Sequence, residues 1–408
     1  MPILKASHVI CRPDLILTPG CVRIEGNKII EVSRSLEVNP KEKVLDLGSA
    51  IISPGLINAH CHLEYTLFDG RLNSFQGSFV EWIKGIVQLK KTFSARDYLN
   101  SFKTGMKLAL ESATTCLFDV LSMPEILLFN FHVPLRIFSF LELIDISKPI
   151  WTDERLAGFL LFFQGRSPFT PLGLSPHSPY TASEDLYSLT RAWCTKEKGF
   201  VMTHVAESFE EYQMFKEKKG MLFEFISQLN PQFLNFTASS PLRYLAEKDL
   251  IGPNSLLIHL NYLDQSDYKL LEENTWSVVY CPKSHAFFGH DPFPLADLLT
   301  RKINVLLGTD SLASNDSLDM RKEIWVAHRS NPSVSIVEWW KMLTLNPAKA
   351  IGMEGKLGEI KAGAYADLVI TLIDSASLNH PLEFLLFEDK KPFMIMVDGN
   401  IVHCSETL

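Results

Sequence analysis

The seven cysteines of this 408-residue chain form no C-x-x-C pair, are odd in number and are scattered from Cys11 to Cys404. In a chain this long that spacing argues against a disulfide framework and reads as free, mostly buried thiols in a reducing compartment. Long apolar runs are missing too. The most apolar stretch, residues 156–163, falls far short of the roughly 18 residues a membrane span requires. Basic excess is absent, with 39 Lys and Arg against 47 Asp and Glu and a net charge of −8. A sequence-independent nucleic-acid surface needs clustered cations to neutralise phosphates, so no nucleic-acid partner is expected. The start, Met1-Pro2-Ile3-Leu4-Lys5, shows no charged segment leading into an apolar one, so no export signal is visible. Low-complexity segments and fixed-period repeats are also lacking. The expectation is a cytoplasmic protein, off the membrane, with a small molecule as its partner.

What is present is ample core material: 46% hydrophobic residues, 11% aromatic and 21% charged. The length suits two or three domains, or one large barrel with an appendage. The first fifty residues read as short strands. Cys21 to Glu25 alternates toward the turn Gly26-Asn27, and Lys28 to Val32 leaves it, which predicts a hairpin. The C-terminal end repeats the style, with 367–372, then 394–397, the turn Asp398-Gly399-Asn400, and 401–402. These two ends are predicted to meet in one composite β-sandwich domain, residues 1–53 and 353–408.

Between them, residues 54–352 alternate apolar strands with amphipathic helices. The strands are predicted at 56–59, 114–120, 135–143, 172–176, 201–204, 255–259, 277–281 and 305–307. Helix-like stretches include 95–111, 183–198, 209–218, 292–300 and 318–327. Each strand is a nearly continuous apolar run, as parallel strands covered on both faces require. Eight such units predict an α/β fold, a (β/α)8 barrel, whose function would sit where its strands end.

That rule gives the histidines a place. His60-Cys61-His62 follows strand one, and a period of two sets both imidazoles on one side with Cys61 on the other. His204 ends strand five, His259 ends strand six, and Asp310 ends strand eight in Gly308-Thr309-Asp310-Ser311. Imidazoles with a carboxylate suit a borderline divalent ion, Zn²⁺ by default with Fe²⁺ admissible. An H-x-H triplet alone is weak, and a lone strand-end histidine is commonly structural. The informative feature is five such groups at inferred strand ends. Three residues past His204, Glu207 is placed to point back over the site as a general acid/base. The other reading of Glu207 is a helix N-terminal carboxylate favoured by the macrodipole.

These residues carry a resemblance. The run from Pro54 to His62, the H-x-x-E of His204 and Glu207, His259, the Gly-Thr-Asp-Ser at 308–311 and the stretch from Gly358 through Asp367 to Ile370 look like the amidohydrolase superfamily. The resemblance spans essentially the whole chain. It implies a distorted TIM barrel with a β-sandwich built from both termini. It also implies His60, His62, His204 and Asp310 as metal ligands, with Glu207, His259 and Asp310 in catalysis. The strand-four end, followed by Pro176-His177-Ser178-Pro179-Tyr180, has no Lys, whereas binuclear relatives use a carboxylated Lys there. Together with Glu207 this points to the mononuclear deaminase and chlorohydrolase branch, in which the matching His contacts substrate. His177 bonding a loop carbonyl is the alternative.

Within that branch, Cys281-Pro282-Lys283-Ser284-His285 with Gly289-His290, and His62-Leu63-Glu64-Tyr65, look most like the 6-aminodeoxyfutalosine deaminases of the futalosine route to menaquinone. That resemblance implies hydrolytic release of ammonia from an aminated purine-type nucleoside. Water activated by the metal would attack the amine-bearing carbon while Glu207 protonates the neighbouring ring nitrogen. Glu64, Glu142, His177 and His285 are the candidate substrate-binding residues, with Trp82 a further candidate for the pocket wall. Arg71, Arg136 and Lys283 are the candidate cations for the benzoate of such a substrate. Other substrates share this site type: S-adenosylhomocysteine or methylthioadenosine, guanine, or an s-triazine. A non-catalytic scaffold is the remaining class, which the complete ligand set argues against. Residues 64–92 are long for a loop and are expected to form a lid. The resemblance also favours a homodimer, although no interface signal is legible.

Overall fold

A computed structural model of the chain describes residues 2–72, 77–129, 131–148, 150–163, 171–375 and 378–405. Eight strands, in chain order Leu56–Cys61, Thr114–Leu121, Arg136–Leu143, Pro171–Pro176, Phe200–Val205, Leu256–His259, Ser277–Tyr280 and Asn304–Leu307, form one sheet in which each pairs with its sequence neighbour. All seven pairings are parallel. A parallel bridge between Cys61 and Asp310 brings the last strand back to the first. These are strands one to eight, and they are the TIM barrel.

Alternation along the strands separates two cores. Met202, Leu256, Ile258, Val279 and Leu306 meet in one buried cluster inside the barrel. Their neighbours Val201, Leu257, Val278, Val305 and Leu307 join the larger layer beneath the helices. Helix Ala95–Glu111 shows why such an outer element forms. Ser94 and Asp97 make a capping box, and Tyr98, Leu99, Phe102, Met106, Ala109 and Leu110 bury one face.

The termini build two further sheets. One has four strands in the order Lys28–Ser33, Gly20–Glu25, Pro2–Ala6, Lys43–Asp46. The other has six, in the order Asn400–Cys404, Met394–Val397, Leu368–Leu372, Ala50–Pro54, His8–Arg12, Leu15–Leu17. The anticipated hairpin pairs Glu25 with Lys28. Leu4, Val9, Val22, Ile52, Leu368, Ile370 and Met394 share one buried cluster. The two ends of the chain thus pack together, as their matching strand patterns predicted. Arg136, at the start of strand three, ties them to the barrel. Its guanidinium donates to Asp367 at 2.8 and 3.1 Å and to Asp398 at 2.9 Å.

Six of the seven free cysteines are buried, and Cys404 is exposed. No helix among the described residues is long and apolar enough to cross a membrane.

Candidate active site

The C-terminal strand ends converge on a cavity of about 380 Å³. His60, His62 and His204 each offer a ligand nitrogen within 4.8 Å of the others, and Glu207, His259 and Asp310 form a second such group beside them. Ring centroids lie 5.0 Å apart for His60 and His62, 5.0 Å for His60 and His204, and 5.5 Å for His204 and His259. Asp310 Oδ1 is 3.5 Å from His60 Nε2 and 4.0 Å from His62 Nε2, bringing the two groups together. Cys61 turns the other way, with its thiol 3.8 Å from the Phe118 carbonyl.

Backbone geometry aims these side chains. Ala206, His259 and Asp310 all take positive φ, at 50°, 74° and 57°. Non-glycine residues rarely adopt this region, and three such turns at the ends of strands five, six and eight concentrate strain at one place. Strand eight also approaches strand one closely. The Thr309 and Asp310 amides donate to the His60 carbonyl at 3.0 and 3.1 Å, and the Asn58 amide donates to Thr309 Oγ1 at 2.8 Å. Only glycine fits at Gly308, where a Cβ would stand 2.8 Å from that of His60.

Protonation follows from burial and partners. Burial pushes His62 and His204 well below the ordinary histidine value, His60 adding to it for His62 and His177 for His204. Burial takes His177 and His259 down to about 3. These rings are therefore neutral, with lone pairs available. His204 Nδ1 lies 3.0 Å from the His177 carbonyl, which assigns the proton to Nδ1 and leaves Nε2 free. The two carboxyls move apart. Burial, then Asp310 and Glu211, raise Glu207 well above the usual range. Asp310 is held well below its usual range: burial opposes its charge, but His60 and the other imidazoles outweigh burial. The Ser284 and Ser314 hydroxyls donate to Asp310 Oδ2 at 2.8 and 2.9 Å, and the Ser311 amide donates to Oδ1 at 2.7 Å. Glu207 Oε1 lies 3.5 Å from His259 Nε2. One acid pushed toward its protonated form beside one held toward its ion is the arrangement acid–base chemistry uses.

The donor set fits a divalent ion. His60 Nδ1 and Nε2, His62 Nδ1 and His259 Nε2 are buried without a hydrogen-bond partner, and an unmet cluster of neutral imidazole nitrogens beside a carboxylate is what such an ion would satisfy.

The substrate-side residues divide. Glu142 and His177 line the cavity, as does Trp82, whose indole donates to the Ala313 carbonyl at 3.3 Å. His177 Nδ1 is engaged by Thr181 Oγ1 at 2.7 Å. Glu64 and His285 are not among the lining residues. Glu64 is fully buried behind the wall, accepting from the Ser122 amide at 2.6 Å. His285 Nε2 lies 2.9 Å from the Asp291 carbonyl. The three candidate cations also lie elsewhere. Arg71 donates to the Leu67 carbonyl, Arg136 clamps the terminal sheet, and Lys283 pairs with Asp316. Long flexible side chains reach partners that sequence order does not reveal.

Some contributors were not anticipated. Tyr65 stacks on His62 at 5.2 Å, and Lys90 lines the cavity beside it. Glu211 accepts from the Ala206 and Glu207 amides at 2.9 and 2.8 Å and so fixes the turn that presents Glu207. A signal for Glu211 existed in the S-x-x-E spacing of Ser208 and Glu211 at the start of helix Phe209–Glu217. Of the expected lid, Leu63–Phe68 is a 3-10 turn and Phe79–Lys90 a helix that walls the cavity; residues 73–76 lie outside the described residues.

A parallel eight-stranded barrel with imidazoles and carboxylates gathered at its strand ends defines the class of metal-site barrel hydrolases. The chain belongs to the amidohydrolase family, whose sequence profile matches residues 51–402, and it is a hydrolytic enzyme. It is 26% identical over 431 residues to a 5-methylthioadenosine/S-adenosylhomocysteine deaminase of Pyrococcus horikoshii, covering 99% of this chain and 96% of that one. A solved aminofutalosine deaminase of Helicobacter pylori, in complex with methylthio-coformycin, gives a TM-score of 0.83 at 20% identity, covering 99% of this chain and 100% of that one. An adenosine deaminase from Xanthomonas campestris with bound zinc gives 0.81 at 20% identity, covering 99% and 93%. At that identity the two structural likenesses speak for the fold.

Proposed function

We propose that this enzyme is a metal-dependent hydrolytic deaminase of an aminated purine-type nucleoside, with 6-aminodeoxyfutalosine, on the futalosine route to menaquinone, as its substrate. One observation carries the deaminase reading: Glu207 and Asp310 border the same imidazole cluster while their environments push their protonation in opposite directions. In this reading His60, His62, His204 and Asp310 hold one Zn²⁺, which when bound would make water a stronger nucleophile at neutral pH. Asp310, kept ionised, takes the proton of the attacking water, and neutral His259 orients that water. Glu207, kept protonated, donates to the ring nitrogen beside the amine-bearing carbon and makes that carbon more electrophilic. The tetrahedral carbon then collapses, the C–N bond breaks, and the amine leaves with a proton as ammonia. His177 and Glu142 contact the nucleoside from the cavity wall. Glu64 and His285 act from behind it by holding loops. The same reading makes the enzyme cytoplasmic, with the barrel over residues 54–352 and the composite domain over 1–53 and 353–408.

A second reading, deamination of methylthioadenosine or S-adenosylhomocysteine, is favoured by the Pyrococcus horikoshii relative. Ammonia release by the metal-replete enzyme separates the readings. The panel is 6-aminodeoxyfutalosine, adenosine, S-adenosylhomocysteine, methylthioadenosine, guanine and melamine. Turnover of the first alone is the expected result. Turnover of another compound instead moves the substrate, and silence throughout with metal bound overturns the deaminase reading.

A further inference from the structure

The cavity contains a cation that the proposed chemistry leaves without a role. Lys90 ends helix Phe79–Lys90, is partly buried, and among the described lining residues is the one Lys or Arg. Its ammonium donates to the Tyr65 hydroxyl at 2.5 Å. Burial opposes its charge, but Tyr65 and Glu142 outweigh burial, so Lys90 stays protonated. Around it the walls are apolar. Trp82 and Ile86, at i−8 and i−4, lie on its own helix face, and Phe225 and Leu229 of helix Met221–Leu229 line the same cavity. Leu229 is half exposed at 50%, which leaves this apolar end open to solvent. Glu142 occupies its own position on the wall, accepting from the Ser122 hydroxyl at 2.5 Å.

An ammonium in a largely apolar cavity is costly unless something satisfies it, and one phenol hydroxyl leaves two of its three protons for a ligand. A ligand matched to these walls presents hydroxyls to Glu142, an apolar body to the Trp82 and Phe225 faces, and an anion to Lys90. We propose that Lys90 is a specificity determinant that binds a carboxylate carried on an apolar substituent of the nucleoside. This deepens the deaminase reading and rests on it for the nucleoside. Charge-paired recognition of this kind also disfavours neutral methylthioadenosine, because it would offer no anion to the two ammonium protons that Tyr65 leaves free.

The test is a specificity ratio. For Lys90→Gln and Lys90→Arg, kcat/KM is measured with 6-aminodeoxyfutalosine and with methylthioadenosine in the metal-replete enzyme. In Lys90→Gln the ratio of the first to the second is expected to fall at least about 30-fold, chiefly through KM. Lys90→Arg, which keeps the charge, should recover most of it. An unchanged ratio, whether both activities fall together or neither does, overturns the proposal and leaves Lys90 a structural counter-ion. If the unaltered enzyme deaminates neither compound, the deaminase reading fails by itself, and calorimetry with 3-acetylbenzoate and its neutral amide decides Lys90. Carboxylate binding weakened at least about 10-fold in Lys90→Gln, with the amide bound weakly by both forms, supports the proposal. Equal carboxylate binding by both forms, or none by either, overturns it.

Discussion

Two carboxyls three strands apart are pushed toward opposite protonation because their immediate surroundings differ. Asp310 receives two serine hydroxyls and an amide and faces His60, all of which favour the ion. Glu207 has Asp310 and Glu211 for neighbours and, among the described residues, no compensating cation, so burial wins. Glu207→Gln cannot donate a proton and should lower kcat by at least about 10²-fold with metal content intact, checked by steady-state kinetics and elemental analysis. His204 has its tautomer fixed by the His177 carbonyl, so its Nε2 is pre-aimed. His204→Ala should lose both metal and activity. Stoichiometric metal in that variant would mean that the ligand set is different. At this scale the sequence was informative where a residue's position follows from its place at or just past a strand end, as for His60, His62 and Glu207, which the structure brings around one cavity. It was silent on Lys90 and misleading on Arg71, which turns back onto the Leu67 carbonyl, and on Arg136 and Lys283, whose partners Asp367 and Asp316 lie far along the chain.

Strand ends rather than strand interiors make the site. The positive φ values of Ala206, His259 and Asp310 redirect the chain at three points on the rim; the Ala206 carbonyl accepts from the Asn261 amide, its amide donates to Glu211, and the Asp310 amide donates to the His60 carbonyl. Strand one depends on strand eight in the same way, through the contact at Gly308. Gly308→Ala should therefore displace His60, cost about 2 kcal/mol of stability and reduce bound metal. Chemical denaturation and metal analysis read these two effects separately. All eight barrel strands were legible as apolar runs, with boundaries off by one or two residues, because burial on both faces leaves a continuous signal. Helix Met221–Leu229 was missed. It is short and apolar throughout much of its length, so no clear polar face marks it, yet it supplies one wall of the cavity.

For the whole molecule, the two termini act as one body against the barrel. Arg136 at the base of strand three joins buried Asp367, which also accepts from the Asp398 amide at 2.7 Å, so one guanidinium links barrel and terminal sheet. Arg136→Ala strands that carboxylate without its cation and should destabilise the fold by about 3 kcal/mol, measured by urea unfolding. Activity of the surviving folded fraction should stay close to normal, because the clamp lies at the opposite end of strand three from the cavity.

The sequence by itself determined the strand pattern, the barrel and the set of histidines and carboxylates at strand ends. Those follow from local periodicity and from the fixed rule that βα units point their strand ends the same way. Tertiary structure alone decided which cation reaches the cavity, which acid is pushed toward its protonated form, and which predicted pocket residues are absent from the described lining. Those outcomes depend on distances between groups tens to hundreds of residues apart, and on desolvation that exists only once the chain has closed around them.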